Sequence, residues 1–299
     1  MIMTENVSQR FSDFDQWSTQ AMVDAMYEGQ LVAIATIKGA LEAIALAAED
    51  AAPRLEEKGR LIYVGAGTSG RLGVQDGAEL GPTFGWPQDR MVFCIAGGLK
   101  ALIVSAEGAE DAFDQGVLEI QEADVNKNDV VIGIAASGQT PYTLGAIKEA
   151  RSRGAMTIGI ANNPGTPLLK ESEYAILAET GSELIAGSTR MKAGTTQKAI
   201  LNILSTAIMS KLGRIYKGFM VDMVVSNQKL ETRAISMIED ITGCSTETAR
   251  TSLKVANKNI KVAVLVSLGE TLENSQAFLK KSRGNLRDAL ALLTSDGNQ

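Results

Sequence analysis

The first pattern of hydrophobic positions along the chain is helical. Between residues 18 and 56, apolar side chains recur at intervals of three and four, as at Met22, Met26 and Ile34. One face of an α-helix repeats at this interval, so the pattern predicts amphipathic helices. Pro53 predicts an interruption or an end of the helix at that point, because proline cannot donate a backbone hydrogen bond.

From residue 60 the pattern changes to that of strands. Short apolar runs rich in β-branched residues alternate with helical stretches, and this alternation is typical of βαβ units. It predicts an α/β fold built on a doubly wound, five-stranded parallel sheet. The predicted strands are 61–64, 91–95, 130–135, 156–160 and 174–178.

A long helix is expected from about residue 189 to 212, directly after Ser188. Its predicted first turn carries two cations, Arg190 and Lys192. Positive charge at a helix N-terminus opposes the helix dipole, so these cations need either solvent or an anion beside them. A phosphate or carboxylate ligand would meet that need. Ser188, Arg190 and Lys192 are therefore candidate substrate-binding residues.

The remainder of the chain keeps a helical pattern, with breaks at 242–245, Gly269 and Gly284. This rhythm predicts a small helical module. The predicted organisation is an N-terminal helical segment at 1–57, a sheet domain at 58–218 and the helical module at 219–299.

The most informative stretch is 61–73, where a predicted strand runs into glycines and hydroxyls and then into a helix. Gly67 lets the backbone approach a ligand closely, and Thr68 and Ser69 add short hydroxyl donors. The free N–H groups of a helix that follows a parallel strand attract anions. We therefore expect an anion, foremost a phosphate, at this loop.

Other interpretations of this loop exist. Gly65, Gly67 and Gly70 satisfy the G-x-G-x-x-G pattern of dinucleotide folds, but the predicted strand at 91–95 ends without the acidic residue that holds the ribose. The nucleotide P-loop requires lysine after the last glycine, where this chain has Arg71. A tight structural turn without a ligand is the plain alternative.

The third predicted strand ends in a second hydroxyl-rich loop, which contains Ser137, Gly138, Gln139 and Thr140. Thr140 followed by Pro141 is typical of a helix N-cap and first helical residue. Ligands of doubly wound sheets lie beyond the carboxyl ends of the strands. The two loops are therefore predicted to hold one phosphate together. A helix cap alone would explain Thr140, but it would not explain the matching chemistry of both loops.

Composition narrows the possible functions. The 299 residues include no histidine, so histidine metal sites and Ser-His-Asp catalysis are excluded, and carboxylates lead the candidates for proton transfer. A net charge of −6 and the lack of a basic stripe argue against a nucleic-acid partner. Cys94 and Cys244 are too few for a disulfide scaffold, which favours the cytoplasm. Lys38 and Glu42 interrupt the apolar run 31–48, which favours an amphipathic helix over a membrane span.

Two glutamates are acid–base candidates. Glu79 lies near the end of the helix after the first loop, which Gly81 and Pro82 are expected to end, and Glu110 precedes Asp111 in an acidic turn. Two carboxyl groups can supply one general acid and one general base. Spacing alone does not make them a pair, because most acidic residues are solvated surface groups.

Seven longer motifs carry a family resemblance. They are Gly-Ala-Gly-Thr-Ser-Gly-Arg-Leu-Gly-Val, Pro-Thr-Phe-Gly, Ile-Ala-Gly-Gly, Glu-Gly-Ala-Glu-Asp, Gly-Ile-Ala-Ala-Ser-Gly, Gly-Ser-Thr-Arg-Met-Lys-Ala-Gly-Thr and Thr-Gly-Cys-Ser. Together they resemble the N-acetylmuramic acid 6-phosphate etherases of the sugar isomerase (SIS) superfamily, over residues 58 to 290. The chain departs from the usual family residues at Leu80, Gly81 and Gln139.

The resemblance implies an SIS-type, flavodoxin-like sheet and an enzyme that splits the ether between C3 of the sugar and D-lactate, in cytoplasmic cell-wall recycling. Glu79 and Glu110 match the positions of the two catalytic glutamates. We expect Glu110 to remove the C2 proton and Glu79 to protonate the lactyl oxygen. A sugar phosphate substrate and a homodimer are implied, and no metal or organic cofactor.

Two other functions are compatible with phosphate loops of this kind. A sugar phosphate isomerase of the same superfamily would need a base serving C1 and C2, but no acid directed at C3. A non-catalytic sugar-phosphate regulator is the second alternative, and such sensors usually carry a DNA-binding helix-turn-helix ahead of the SIS domain. The short acidic N-terminal region does not resemble one.

Overall fold

Five parallel strands form a sheet in the order β2-β1-β3-β4-β5. The structure is a computed structural model, and it describes residues 2–56, 58–104 and 106–296. The strand order confirms the predicted doubly wound, flavodoxin-like sheet. The strands are β1 (Leu61–Gly65), β2 (Met91–Ile95), β3 (Val130–Ile134), β4 (Met156–Ala161) and β5 (Tyr174–Leu177).

The three central strands are buried at every position, whereas the edge strands β2 and β5 are only partly buried. A parallel sheet covered by helices on both faces buries both sides of each central strand. This explains why the sequence there shows continuous apolar runs instead of an alternating pattern. Each predicted strand lies within one residue of its observed bounds.

The chain divides into two compact units. The first contains the residues up to Gly77 and Asp89–Ile208, and the second contains Ala78–Gln88 and the residues from Met209 onward. The three-part division expected from the sequence stays a prediction, and the outer ends of its segments 1–57 and 219–299 lie outside the described residues. In chain order, the first seven α-helices of the described residues are α1 (Thr19–Thr36), α2 (Leu41–Glu56), α3 (Gly67–Phe84), α4 (Phe113–Glu122), α5 (Pro141–Ser152), α6 (Pro167–Glu171) and α7 (Lys192–Lys211).

The N-terminal helices differ from the prediction in one respect. Pro53 lies inside α2, which continues to Glu56, and the interruption falls instead at the 3-10 turn Ile37–Ala40. By length and composition alone, the stretch Thr19–Glu56 could cross a membrane, with 33% of its most apolar window buried. A single helix of this kind is a weak indication, because core helices of globular proteins pass the same test, and α2 buries six side chains.

Helices of the second unit pack around a core of their own, which includes Ile238, Val264 and Leu265. Gly243, Gly269 and Gly284 all have positive φ, from 73° to 104°, and each stands at or shortly after a helix end. The predicted breaks are confirmed; a further break, at 256–259, was not predicted. The helices are α8 (Gln228–Thr242), α9 (Thr246–Val255), α10 (Ile260–Ser267), α11 (Leu272–Lys281) and α12 (Leu286–Asp296).

The order of the strands determines where a ligand site can form. After β1 the chain crosses to β2 on one side and then returns to β3 on the other, so the sheet changes direction between β1 and β3. Helix α3 starts two residues after β1, and α5 starts a short loop after β3. Two helix N-termini therefore follow adjacent strands at the point where doubly wound folds bind ligands.

Candidate active site

A cleft of ≈ 490 Å³ in the first unit is lined by the segments that follow β1 and β3. Both predicted loops contribute to it. We name residues 65–70 the first loop and residues 135–140 the second loop. Of the predicted phosphate-binding residues, six line the cleft: Gly67, Thr68, Ser69, Ser137, Gln139 and Thr140.

The first loop is built by close backbone contact and a buried hydrogen-bond chain. A side chain at Gly70 would come within 2.8 Å of the carbonyl oxygen of Gly65, so both positions need glycine. The Ser69 hydroxyl donates to Oε1 of Gln197 at 2.9 Å, and Nε2 of Gln197 donates to Oδ1 of Asn162 at 3.0 Å. The proton of the Ser69 hydroxyl is therefore already used inside the protein.

The second loop leaves its hydroxyl protons available. The Ser137 oxygen accepts the backbone N–H of Gln139 at 3.2 Å, so its own proton can point into the cleft. Thr140 is the N-cap of α5, as predicted, but its side chain makes no capping hydrogen bond. Gly138 has φ +64°, and a side chain there would collide with Thr166. This loop can donate two hydroxyl protons to an anion.

Arg71, which follows the first loop, serves the fold. Its guanidinium donates two hydrogen bonds to the carbonyl oxygen of Ala101, at 2.9 and 3.2 Å. The residue that stands where a nucleotide P-loop has lysine is thus engaged with the loop that follows β2. This arrangement agrees with the exclusion of a nucleotide P-loop.

The start of α7 corrects the predicted first turn. The helix begins at Lys192, so Ser188 and the exposed Arg190 precede it. The buried Glu183 carboxylate accepts the backbone N–H groups of Lys192 and Ala193 at 3.0 and 2.9 Å. Glu183 therefore supplies an anion beside Lys192 at the helix N-terminus, whereas Arg190 is exposed to solvent.

Lys192 is mostly buried, and its Nζ donates to the carbonyl oxygen of Ser182 at 2.8 Å. Burial lowers the pKa of Lys192, and the nearby Glu183 opposes that shift.

Gly187 and Thr189 line the cleft, whereas Gly138, Ser188, Arg190 and Lys192 are not among the residues that line it.

The two glutamates lie in different units. Glu110 lies in the short 3-10 helix Ala109–Asp111, and the preceding Gly108 has a left-handed backbone conformation. Glu110 and Asp111 both line the cleft. Glu79 is exposed on α3, in the part of that helix that belongs to the second unit. The sequence predicted that α3 ends at Gly81 and Pro82. This prediction was wrong, because the helix continues to Phe84.

Asp76 holds α3 against α7 within the first unit. Its buried carboxylate accepts hydrogen bonds from the Tyr63 hydroxyl at 2.8 Å, from Asn202 at 2.6 Å and from Ser205 at 3.1 Å. Burial raises the pKa of Asp76, and these three hydrogen bonds oppose the shift. Burial beside Asp76 also raises the pKa of Tyr63 well above its ordinary value.

Comparison with known proteins places the chain in a family. It is 43% identical over 288 residues to the N-acetylmuramic acid 6-phosphate etherase of Deinococcus radiodurans, which covers 96% of this chain and 94% of that protein. The corresponding protein of Erwinia tasmaniensis is 44% identical over 279 residues, covering 93% of this chain and 91% of that one. This chain belongs to the N-acetylmuramic acid 6-phosphate etherase family.

Two domain models match overlapping parts of the chain. The model of the glucokinase regulatory protein N-terminal SIS domain matches residues 43–151, and the SIS domain model matches residues 103–207. A phosphoheptose isomerase from Francisella tularensis superposes with a TM-score of 0.49 at 20% identity, covering 67% of this etherase-family chain and 100% of that one.

Several residues around the cleft were missed by the sequence analysis of this etherase-family chain. Glu5 lines the cleft, and its neighbour Thr4 is fully buried, with its backbone and side chain both bonded to Asn163. Thr4 also accepts the backbone N–H of Gly187 at 3.2 Å. No local pattern marks these positions, because their partners are far away in the sequence. Among the described residues, no group of acidic residues and cysteines could hold a metal ion.

Proposed function

We propose that this chain cleaves the D-lactyl ether of N-acetylmuramic acid 6-phosphate and releases D-lactate and N-acetylglucosamine 6-phosphate. Family membership supports the reaction, which makes the chain a carbon–oxygen lyase. The observation that carries the proposal is the cleft, where Glu110 shares one cavity with the hydroxyls of Ser137 and Thr140 and the N-termini of α3 and α5. A base and an anion site therefore face the same ligand.

The phosphate would bind at the two loops. The N–H groups at the start of α3 and α5 carry the positive ends of two helix dipoles. The hydroxyls of Ser137 and Thr140 can donate directly to the phosphate oxygens, because neither proton is donated to another group among the described residues. Thr68 and the backbone of Gly67 complete this proposed phosphate site.

Glu110 is assigned to the C2 proton and Glu79 to the lactyl oxygen. In the open-chain sugar, the carbonyl at C1 acidifies the C2 proton, and the Glu110 carboxylate removes it. The C3–O bond then breaks as Glu79 gives its proton to the lactyl oxygen, which leaves as lactate. Water then adds to C3 of the resulting C2–C3 double bond. Glu79 takes one proton of the water and Glu110 returns its proton to C2, so both carboxyl groups regain their starting state.

An assay of lactate release from N-acetylmuramic acid 6-phosphate tests the reaction. We expect stoichiometric D-lactate and N-acetylglucosamine 6-phosphate. An aldose–ketose isomerase would convert a sugar phosphate to its ketose without releasing lactate, and a regulator would bind the substrate unchanged. Either result contradicts the proposal.

Substitution of each glutamate separates the two roles. Glu79→Gln should lower lactate release by ~10²–10⁴-fold, the usual contribution of a positioned general acid. Exchange of the C2 proton with solvent deuterium should persist in that variant. Glu110→Gln should lose both exchange and lactate release. The opposite pattern would reverse the assignment, and parent rates in both variants would refute it.

The proposed active form is a homodimer. Helix α1 carries a stripe of apolar side chains, Val23, Tyr27, Leu31 and Ile34, that are between 45% and 64% exposed. A contiguous apolar stripe of this size marks an interaction surface, and a second copy of the chain is the proposed partner. Leu31→Glu should yield an inactive monomer in light scattering. An active monomer of the parent chain would contradict the pairing.

The reaction is placed in the cytoplasm, in cell-wall recycling. Cys94 and Cys244 are both free thiols, which suits a reducing compartment. Fractionation of cells that express the tagged chain tests the location, and recovery with the membrane pellet would contradict it.

A further inference from the structure

The end of α3 is held by one arginine of the second unit. Nη1 of Arg214 donates to the carbonyl oxygens of Phe84 and Gly85, at 2.7 and 3.1 Å, and its guanidinium lies 5.2 Å from the centre of the Trp86 ring. The last carbonyls of a helix have no partner within the helix, and they carry its negative dipole end. Arg214 therefore supplies both the hydrogen bonds and the positive charge that this helix end lacks.

Two neighbouring contacts complete the arrangement. The carbonyl oxygen of Pro82 accepts the backbone N–H of Val224 at 3.1 Å. Gly85 has φ +60°, and a side chain there would come within 2.5 Å of the backbone oxygen of Asp222. The chain thus passes directly over the helix end. We name Arg214, Asp222 and Val224 the α3 clamp.

The clamp is itself fixed by a buried charge pair. Nζ of Lys261 contacts Oδ2 of Asp222 at 2.5 Å and donates to the carbonyl oxygen of Gly284 at 2.6 Å. Removing one partner of a buried ion pair is strongly destabilising, because it leaves an uncompensated charge. Lys261 therefore anchors Asp222, so helix α10 of the second unit holds this part of the clamp in place.

Glu79 lies five residues before the end of α3, and its side chain is exposed. Nowhere in the described ranges 2–56, 58–104 and 106–296 does its carboxylate form a hydrogen bond or an ion pair within the chain. Its position then depends on the backbone that carries it. The neighbouring Leu80 and Phe84 are buried, whereas Glu79 lies on the exposed side of this part of the helix.

We propose that Arg214 is a positioning residue for Glu79: by closing the last turn of α3, it holds the Glu79 carboxyl where the lactyl oxygen is protonated. The inference rests on the proposed function, in which Glu79 acts only at C3. A misplacement of about 1 Å can cost roughly 100-fold in rate. Loosening the clamp should therefore impair ether cleavage and leave removal of the C2 proton by Glu110 intact.

The experiment measures two rates in the full-length protein, lactate release and C2 proton exchange in deuterated water. Arg214→Met removes both hydrogen bonds and the charge. We expect its kcat for lactate release to fall roughly 10–100-fold, with exchange at the parent rate and KM unchanged. Deuterium uptake of the peptide that spans 78–88, followed by mass spectrometry, should be faster than in the parent chain.

Arg90→Met is the matched control. Arg90 also caps a helix end with its guanidinium, because it donates to the carbonyl oxygen of Leu55 in the last turn of α2 and to that of Gly59. It belongs to the first unit. Its loss should lower stability without changing the ratio of lactate release to exchange, and without faster deuterium uptake at 78–88.

Arg214→Lys keeps the positive charge but not the planar fork, and it decides the matter if Arg214→Met does not fold. We expect the same selective loss, smaller than in the methionine variant. Equal loss of both rates, parent-like rates, or an equally selective loss in Arg90→Met would overturn the positioning role. A parent chain that releases no lactate refutes the proposed function instead, and the positioning role with it.

Discussion

The two hydroxyl-rich loops look alike in sequence but use their hydroxyls differently. In the first loop, the Ser69 hydroxyl is buried and donates its proton to Gln197. In the second loop, the Ser137 oxygen accepts a backbone N–H, and the Thr140 hydroxyl makes no capping bond. The serine of the first loop thus stabilises the loop itself, whereas two hydroxyl groups of the second loop can donate hydrogen bonds to a ligand.

This difference separates stability from binding. A substitution that disturbs the Ser69 hydrogen-bond chain should change the free energy of unfolding, and one that removes a hydroxyl from the second loop should change KM. The first loop would still bind phosphate through the N–H groups at the start of α3. Four measurements test this comparison.

Gln197→Leu should have the largest effect. It leaves both the Ser69 hydroxyl and Oδ1 of Asn162 without their partner. An unpaired buried group costs roughly 1–3 kcal/mol, so two such groups should lower the free energy of unfolding by ~2–6 kcal/mol in urea denaturation. Thr206→Ala, an exposed position on the same helix, is the control and should unfold like the parent. An unchanged midpoint in Gln197→Leu would show that the chain does not support the loop.

Ser137→Ala should come next, and it should act on binding. Losing a hydrogen bond to a charged phosphate costs ~1–3 kcal/mol, which would appear as a higher KM in steady-state kinetics. The unfolding midpoint should move little, because the hydrogen bond that this serine makes within the described residues, from the backbone N–H of Gln139 at 3.2 Å, is exposed to solvent. A KM equal to that of the parent would remove Ser137 from the phosphate site.

Ser69→Ala should show the reverse pattern with a smaller effect. It removes one neutral hydrogen bond, at a cost of about 1 kcal/mol in the free energy of unfolding. KM should stay close to the parent value. Comparison of Ser69→Ala with Ser137→Ala in the same two assays is therefore the sharpest test. If Ser69→Ala raises KM as much as Ser137→Ala, the two loops bind phosphate in the same way.

The smallest effect is expected in the pH dependence of stability. Asp76 lies two turns after Ser69 on α3 and bonds to α7, as Ser69 does. Burial raises the pKa of Asp76 above its ordinary value of 3.8. A carboxyl with a raised pKa favours folding while it is protonated, and that contribution is lost as the pH rises through its folded pKa.

The free energy of unfolding of the parent chain should therefore contain a term that decreases as the pH rises above 3.8. Asp76→Asn should lack this term, so the difference between the two chains should change with pH. Urea denaturation across that range measures it. If the difference in the free energy of unfolding between the two chains does not change with pH, burial does not raise the pKa of Asp76.

Local sequence determined the sheet, its two loops, the start of α5 at Thr140 and the helix breaks at 242–245, Gly269 and Gly284. Apolar runs of strand length with helical stretches between them lead to a parallel sheet, and its order places β1 beside β3. Gly67, Thr68 and Ser69 were recognisable because glycine and hydroxyl side chains act on their own backbone and on the helix start. The etherase family was likewise recognisable from motifs of four to ten residues.

Tertiary structure alone decided what the hydroxyls and helix ends bind. Ser69 and Gln197 are 128 positions apart, and Arg214 is 130 positions from Phe84, so no local pattern could reveal either pair. The first turn of α7 was mispredicted for the same reason, because the Glu183 carboxylate that caps it precedes the helix by nine residues. A hydrogen bond depends on the distance between two atoms in space, and only packing brings these distant partners within reach.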